Sequence, residues 1–238
     1  MPPSDLSLKV PPSCRPGDHG KTKRAFPETV EEYVEGIFKL DQAFGRVTMG
    51  ELAEYMQVSA GSATSMVKKL DSLGLANYTP YKSVELTKNG LTLAKMLTRT
   101  HRVLKSFLVE MVGLPWNDVH ELACKLEHYI SVDVIDQMYE KLGKPERCPH
   151  GNPIDPEMED ECFQLAKAHI GDKLEVVKIT NEGHDFLRFM EEIALMPGVR
   201  FTAVGATEFD GLVHLEIGTT PRTVGREVSR HVWVKRVN

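Results

Sequence analysis

The sequence predicts an α+β protein of several domains, in which a helical part precedes a part built of short strands. At 238 residues the chain exceeds the usual size of a single domain. Residues 28 to about 142 follow the periodicity of successive helices, whereas the last third alternates like short strands. A stretch rich in Pro, Gly and acids, 144–163, lies between them and predicts a linker.

The composition is that of a water-soluble globular protein, with 41% hydrophobic and 26% charged residues. No apolar run approaches the ~20 residues that span a bilayer. We therefore expect a cytoplasmic protein without a membrane partner. Four cysteines without framework spacing predict reduced thiols. The net charge of −5 argues against a wholly basic nucleic-acid binder, but it leaves room for a local DNA-binding surface.

Residues 1–26 are polar and rich in proline, and they lack the apolar region of a secretory signal. They predict a disordered extension. The alternative is an arm that reaches DNA through Lys21, Lys23 and Arg24.

Residues 27–90 are predicted to form a winged-helix DNA-binding domain. Within 48–75 a short helix, a tight turn around Gln57 and Val58, and a second helix follow in the order of a helix-turn-helix. Leu75 to Thr87 then predicts a two-stranded wing. The alternative is a plain helical hairpin whose Ser and Gly residues only cap helices.

The second helix opens with small and hydroxyl-bearing residues, which let the backbone approach DNA and donate to phosphates. We expect Ser59, Gly61 and Ser65 nearest the bases. The residues expected nearer the phosphates are Ser62, Thr64, Lys68, Lys69 and Lys82, with Lys88 beside them. Residues 48–90 carry four lysines and four acids, so attraction to DNA depends on where the lysines lie.

The segment HELACKLEH, 120–128, predicts a metal-binding helix. At about 100° per residue, His120, Cys124, Glu127 and His128 fall within an arc of roughly 100°, with the leucines opposite. Mixed nitrogen, oxygen and sulfur donors suit a divalent transition ion rather than calcium or magnesium.

Further candidate ligands come from two earlier helices. Glu32 and Glu35 lie one turn apart in the first helix, and His101 lies in the helix before the segment. Each alone is more often an ordinary surface or core residue. Cys148 and His150 form a weaker pair, because a turn explains them equally well.

A catalytic role for Cys124, with His128 as its base, is the alternative to metal binding. No glycine-rich or elbow-like turn adjoins Cys124 to form an oxyanion site. The sequence therefore predicts a protein that is not an enzyme.

With these motifs in place, the chain resembles the diphtheria-toxin-repressor family of metal-dependent transcriptional repressors from Glu28 onward. The resemblance is carried by H-x3-C-x2-E-H at 120–128, the upstream T-H-R around His101, and G-N-P-I at 151–154. It implies a helical metal-binding and dimerisation domain at 91–143. It also implies an SH3-like, FeoA-like β-barrel at 164–238.

The resemblance further implies two metal sites. Their residues are Glu32, Cys124, Glu127 and His128 for the primary site, and His101 and His120 for the ancillary site. Glu182 and Asp185 of the C-terminal domain are candidates for two additional ligands. The chain departs from the iron-sensing pattern at Lys105, where an acidic ligand is expected, and this puts the ancillary site in doubt.

The expected function is that of a homodimeric repressor of metal-uptake genes that binds operator double-stranded DNA when metal is bound. A carboxylate at Glu32 favours manganese(II), with iron(II) next. The alternatives are a metal-independent winged-helix regulator and a metal-binding enzyme or storage module.

Overall fold

The computed structural model describes residues 26–79, 83–158, 161–207 and 211–237. The predicted disordered extension lies outside these ranges, apart from Phe26, which packs against the core of the first domain. The predicted phosphate contact Lys82 also lies outside the described residues.

The N-terminal domain is a winged helix, as the sequence predicts. Its helices are α1 (Glu28–Phe44), α2 (Met49–Tyr55) and α3 (Ala60–Ser72), and its wing pairs β1 (Ala76–Asn77) with β2 (Glu85–Leu86) in antiparallel fashion. Thr48 and Glu51 form a reciprocal capping box that begins α2. Gln57, with a φ of 53°, makes the left-handed turn into α3. Interactions between residues close in sequence therefore account for the start of α2 and the turn into α3.

A single long helix, α4 (Lys88–Glu110), joins the N-terminal domain to the second domain. The Thr87 side chain caps its start by accepting from the Gly90 amide. Its first half contributes Leu93 and Leu97 to the core of the winged helix. Its second half contributes Leu104 and Leu108 to the core of the second domain. The helix α4 therefore contributes to the cores of both domains.

The second domain adds α5 (Val119–Leu126) and α6 (Val132–Lys141). The predicted metal-binding helix ends earlier than expected, because Glu127 and His128 lie in the turn that follows α5. Leu122, on the side of the helix opposite the candidate ligands, is exposed. The residues that pack inward from α5 are instead Val119 and Ala123.

The connection from α6 to the C-terminal domain is packed against both of its neighbours. Cys148 and Ile154 are buried in the core of the second domain, and His150 is fully buried. Gly151 has a φ of 82°, and a Cβ there would lie 2.0 Å from the Val177 carbonyl oxygen. The predicted linker therefore includes an ordered turn held against the C-terminal domain.

The C-terminal domain is a six-stranded antiparallel sheet. Its strands are β3 (Phe163–Gln164), β4 (Lys173–Ile179), β5 (Arg200–Thr207), β6 (Leu212–Ile217), β7 (Thr220–Val224) and β8 (Val232–Arg236), paired in the order β3-β8-β4-β5-β6-β7. Two α-helices accompany them within the described residues, α7 (His184–Glu192) and α8 (Arg226–His231). Among the described strand pairs the sheet does not close between β3 and β7.

The observed architecture confirms the predicted α+β fold of a winged helix, a helical domain and a C-terminal β domain. None of the helices in the described ranges is long and apolar enough to cross a membrane.

Candidate metal centre and DNA-binding surface

A buried set of three potential ligands lies between the N-terminal and second domains. Glu35 of α1, Glu127 and His128 each place a ligand atom within 4.8 Å of the others, and all three residues are buried. Glu35 reaches this position because it lies on the inward face of α1, beside Val34 and Phe38. Glu127 and His128 reach it from the turn after α5. The set therefore spans two domains.

Glu31 orients His128 in this set. The Nδ1 of His128 lies 2.8 Å from Oε2 of Glu31, so it donates to that carboxylate. The other ring nitrogen, Nε2, lies 3.7 Å from Oε1 of Glu127 and keeps its lone pair for an ion. A carboxylate that holds a ligating histidine in this way fixes its tautomer and ring orientation. Sequence reasoning missed Glu31; the available signal was its position one turn before Glu35.

The electrostatics of this set favour a cation. Burial raises the pKa of the Glu127 carboxyl, and the neighbouring Glu35 carboxylate raises it further. Burial lowers the pKa of Lys39, but the combined attraction of the nearby acidic groups, with Glu35 the largest contributor, raises it above its usual range. Two carboxylates held together away from water are stable as anions only beside positive charge. The residues present therefore fit a divalent ion.

A second group of potential ligands adjoins the first through Glu127. His101, His120 and Cys124 place ligand atoms within 4.8 Å of one another, with the thiol sulfur 3.9 Å from Nδ1 of His101 and 3.7 Å from Nε2 of His120. Oε2 of Glu127 lies 2.7 Å from the same Nδ1 of His101. The structure thus places Cys124, Glu127 and His101 close together in one continuous group.

Burial tunes the protonation of this second group. It raises the pKa of the Cys124 thiol to about 12, so a thiolate there depends on a bound cation. Burial, together with the nearby Lys105, lowers the pKa of His101 to about 3, which keeps the imidazole neutral. The Nε2 of His101 is buried without a hydrogen-bond partner among the described residues. Neutral imidazoles with a free lone pair are suited to metal binding.

The remaining predicted ligands differ in position. Glu32 is exposed on α1, and it forms a separate group with Glu28 and His128 whose ligand atoms lie within 4.8 Å. Glu182 enters the second group, with Oε2 2.8 Å from Nδ1 of His120. Asp185 is exposed and pairs with Arg188 at 3.7 Å, and it joins none of the potential ligand groups in the described part of the chain.

The predicted DNA-binding surface is the exposed side of α3. The predicted residues Gly61, Ser62, Ser65, Lys68 and Lys69 are exposed, and Thr64 is half-buried. The buried side consists of Ala63, Val67 and Leu70.

The hydroxyl groups of α3 are engaged with the helix itself. The Ser59 side chain accepts from the Ser62 amide as the helix cap. Thr64 and Ser65 donate to the carbonyl oxygens of Ala60 and Gly61 at 2.8 and 2.9 Å. The exposed face of α3 therefore carries small side chains in its N-terminal half and lysines in its C-terminal half.

Comparisons with known proteins agree with this geometry. The family described as "Iron dependent repressor, N-terminal DNA binding domain" matches residues 25–84, and its "metal binding and dimerisation domain" matches 87–156. The FeoA domain matches 163–236. An HTH-type transcriptional regulator of Methanocaldococcus jannaschii is 36% identical over 112 residues, which cover 47% of this chain and 90% of that protein.

The chain belongs to the iron-dependent repressor family. The iron-dependent repressor IdeR of Mycobacterium tuberculosis is 27% identical over 226 residues, which cover 88% of this chain and 98% of that protein. A solved manganese-dependent transcriptional repressor in complex with manganese has a TM-score of 0.81 at 29% identity, covering 87% of this chain and all of that one. The family's members are metal-dependent DNA-binding repressors rather than enzymes, so the resemblance seen in the sequence is confirmed.

We predict that Glu31→Gln weakens metal binding by this repressor about 10- to 100-fold, because the amide no longer fixes His128 as a carboxylate does. Isothermal titration with Mn(II) measures the change, and circular dichroism checks the fold. An unchanged affinity would show that Glu31 does not orient a ligand.

A second prediction concerns Lys68 at the exposed end of α3. Lys68→Ala should weaken DNA binding equally for all sequences and reduce the salt slope of log affinity by about 1. Lys173→Ala in β4 is the matched control, because Lys173 is an exposed lysine of the C-terminal domain. An altered base preference in Lys68→Ala would contradict a phosphate contact.

Proposed function

We propose that the protein is a homodimeric repressor of metal-uptake genes, in which a divalent ion joins the DNA-binding domain to the second domain. The observation that supports this most directly is the buried set of Glu35, Glu127 and His128, whose members come from both domains. An ion that binds all three favours the arrangement in which they are close. It thereby shifts the population toward one spacing of the recognition helices.

We assign the primary site to Glu35, Glu127 and His128, with Cys124 contributing from α5 and Glu32 from the solvent-facing edge. Glu35 has the stronger support of the two α1 glutamates, because it is buried against Glu127 whereas Glu32 is exposed. Either residue links α1 to the turn after α5.

The donors favour manganese(II) as the effector, with iron(II) next. Carboxylate oxygens and an imidazole suit these ions better than the softer ones, and the high pKa of the Cys124 thiol reduces its weight as a sulfur donor. Related structures include a manganese-dependent repressor with manganese, and ScaR with bound zinc. Zinc binds most sites of this kind tightly, so activation of DNA binding identifies the effector better than affinity does.

Exposed side chains of the second domain support the proposed homodimer, and the exposed face of α3 supports the proposed binding of operator DNA. Apolar side chains remain exposed on the second domain around α5 and α6, namely Met111, Val112, Leu122, Tyr129, Val132 and Val134. Exposed apolar surface of this kind marks an interaction surface. A symmetric pair of α3 helices would then read adjacent major grooves of double-stranded DNA.

We predict that a chelator lowers operator affinity at least tenfold, which corresponds to about 1.4 kcal/mol of coupling. Fluorescence anisotropy with labelled operator, in chelator and in Mn(II), measures the change. Equal affinity in the two conditions would favour a metal-independent winged-helix regulator.

We predict that Glu35→Gln requires at least tenfold more free Mn(II) for half-maximal DNA binding, because a neutral amide no longer compensates the ion's charge. Asp41→Asn is the matched control, because Asp41 is an exposed carboxylate on the same helix. An anaerobic comparison of Mn(II) with Fe(II) on wild-type protein tests the choice of metal. Strong activation by iron with little by manganese would reverse that choice and leave the repressor assignment intact.

A further inference from the structure

A lysine is buried at the position where the family resemblance implies an ancillary metal site. The Lys105 side chain is 1% exposed, and its Nζ lies 2.6 Å from Oε1 of Glu182. The same nitrogen lies 3.2 Å from Nδ1 of His150. A buried ammonium group is stable only when charged or polar acceptors surround it, and these two residues supply them.

The partners of Lys105 accept its hydrogen bonds through the same lone pairs that would bind a metal ion. Nε2 of His150 donates to the Trp116 carbonyl oxygen at 2.7 Å, so Nδ1 is the acceptor nitrogen that faces Lys105. Oε1 of Glu182 also accepts from Nδ2 of Asn152 at 2.9 Å. The ammonium group of Lys105 therefore already satisfies one carboxylate oxygen and one imidazole nitrogen.

The charge of Glu182 is balanced within the protein. Burial alone would raise the pKa of its carboxyl, but the Lys105 ammonium and the surrounding imidazoles hold it well below its usual range. His101 and His120 face its other oxygen, Oε2, at 3.7 and 2.8 Å. A divalent ion added beside Glu182 would have to share this single carboxylate with a buried cation, which Coulomb repulsion opposes.

We propose that Lys105 is a built-in cation that replaces a second metal ion in the cluster around Glu182 and docks the C-terminal domain on α4 without metal. The inference goes beyond the proposed function, because it concerns a different cluster from Glu35, Glu127 and His128. It implies that metal alters the contact between the first two domains, whereas the contact between the C-terminal domain and α4 forms without metal.

Docking is tested by hydrogen exchange on the full-length protein in chelator. The Ile179 amide of β4 donates to the His150 carbonyl oxygen at 2.9 Å, so its protection reports the contact between the C-terminal domain and the turn before it. We expect this amide to be protected without metal in wild type, and to exchange at least tenfold faster in Lys105→Met. Lys95→Met is the matched control, because Lys95 lies on the same helix and pairs with Glu157 at the surface.

The absence of a second ion is tested by counting bound Mn(II) per chain after equilibrium dialysis. Wild type and Glu182→Gln should bind the same number of ions. Lys105→Glu should bind one more, because a second carboxylate then replaces the ammonium, and Lys105→Glu/Glu182→Gln should lose it again. Loss of an ion from Glu182→Gln alone, or an unprotected Ile179 amide in metal-free wild type, would overturn the inference. Failure of the wild-type protein to bind Mn(II) would contradict the proposed function, whereas the exchange rate of the Ile179 amide tests the docking independently of it.

Discussion

The proposed metal centre depends on two buried carboxylates, Glu35 and Glu127, that meet across a domain boundary. Each is carried by its own domain, and both are buried in the folded chain. Bringing them together is unfavourable unless positive charge lies between them. The free energy of ion binding is therefore linked to the relative position of α1 and the turn after α5. Because α1 belongs to the same domain as the recognition helix α3, this position also affects where α3 lies. The same repulsion that makes the site bind metal makes the apo arrangement less favourable.

The helix α4 limits which parts of the protein can move when an ion binds. Its first half belongs to the core of the winged helix and its second half to the core of the second domain, so it acts as a shared support. Glu127 and His128 lie beside its middle, where His101 contacts Glu127. In the proposed homodimer, a small movement of α1 relative to the turn after α5 would alter the separation of the two α3 helices. Farther along the helix, Lys105 holds Glu182 through a contact that requires no ion.

Much of this arrangement could be predicted from sequence, because its causes are local. The caps at Thr48 and Ser59 and the donors at His120, Cys124, Glu127 and His128 are properties of a few neighbouring residues. The choice between Glu32 and Glu35 is not local, since it depends on how α1 is rotated by its apolar packing. The same holds for Glu31, which is recognisable only once His128 is known to lie against it. Likewise, the role of Lys105 depends on Glu182 and His150, which are 77 and 45 residues away.

The central claim is that metal and operator DNA are linked through the Glu35, Glu127 and His128 set. Linkage is reciprocal, so operator DNA must raise the affinity for Mn(II) by the same factor by which Mn(II) raises the affinity for DNA. The direct measurement is the dissociation constant for Mn(II) on wild-type protein, with and without saturating operator duplex. The account predicts a constant at least tenfold lower with DNA, and a smaller difference in Glu35→Gln. Equal constants for wild type with and without DNA would contradict it.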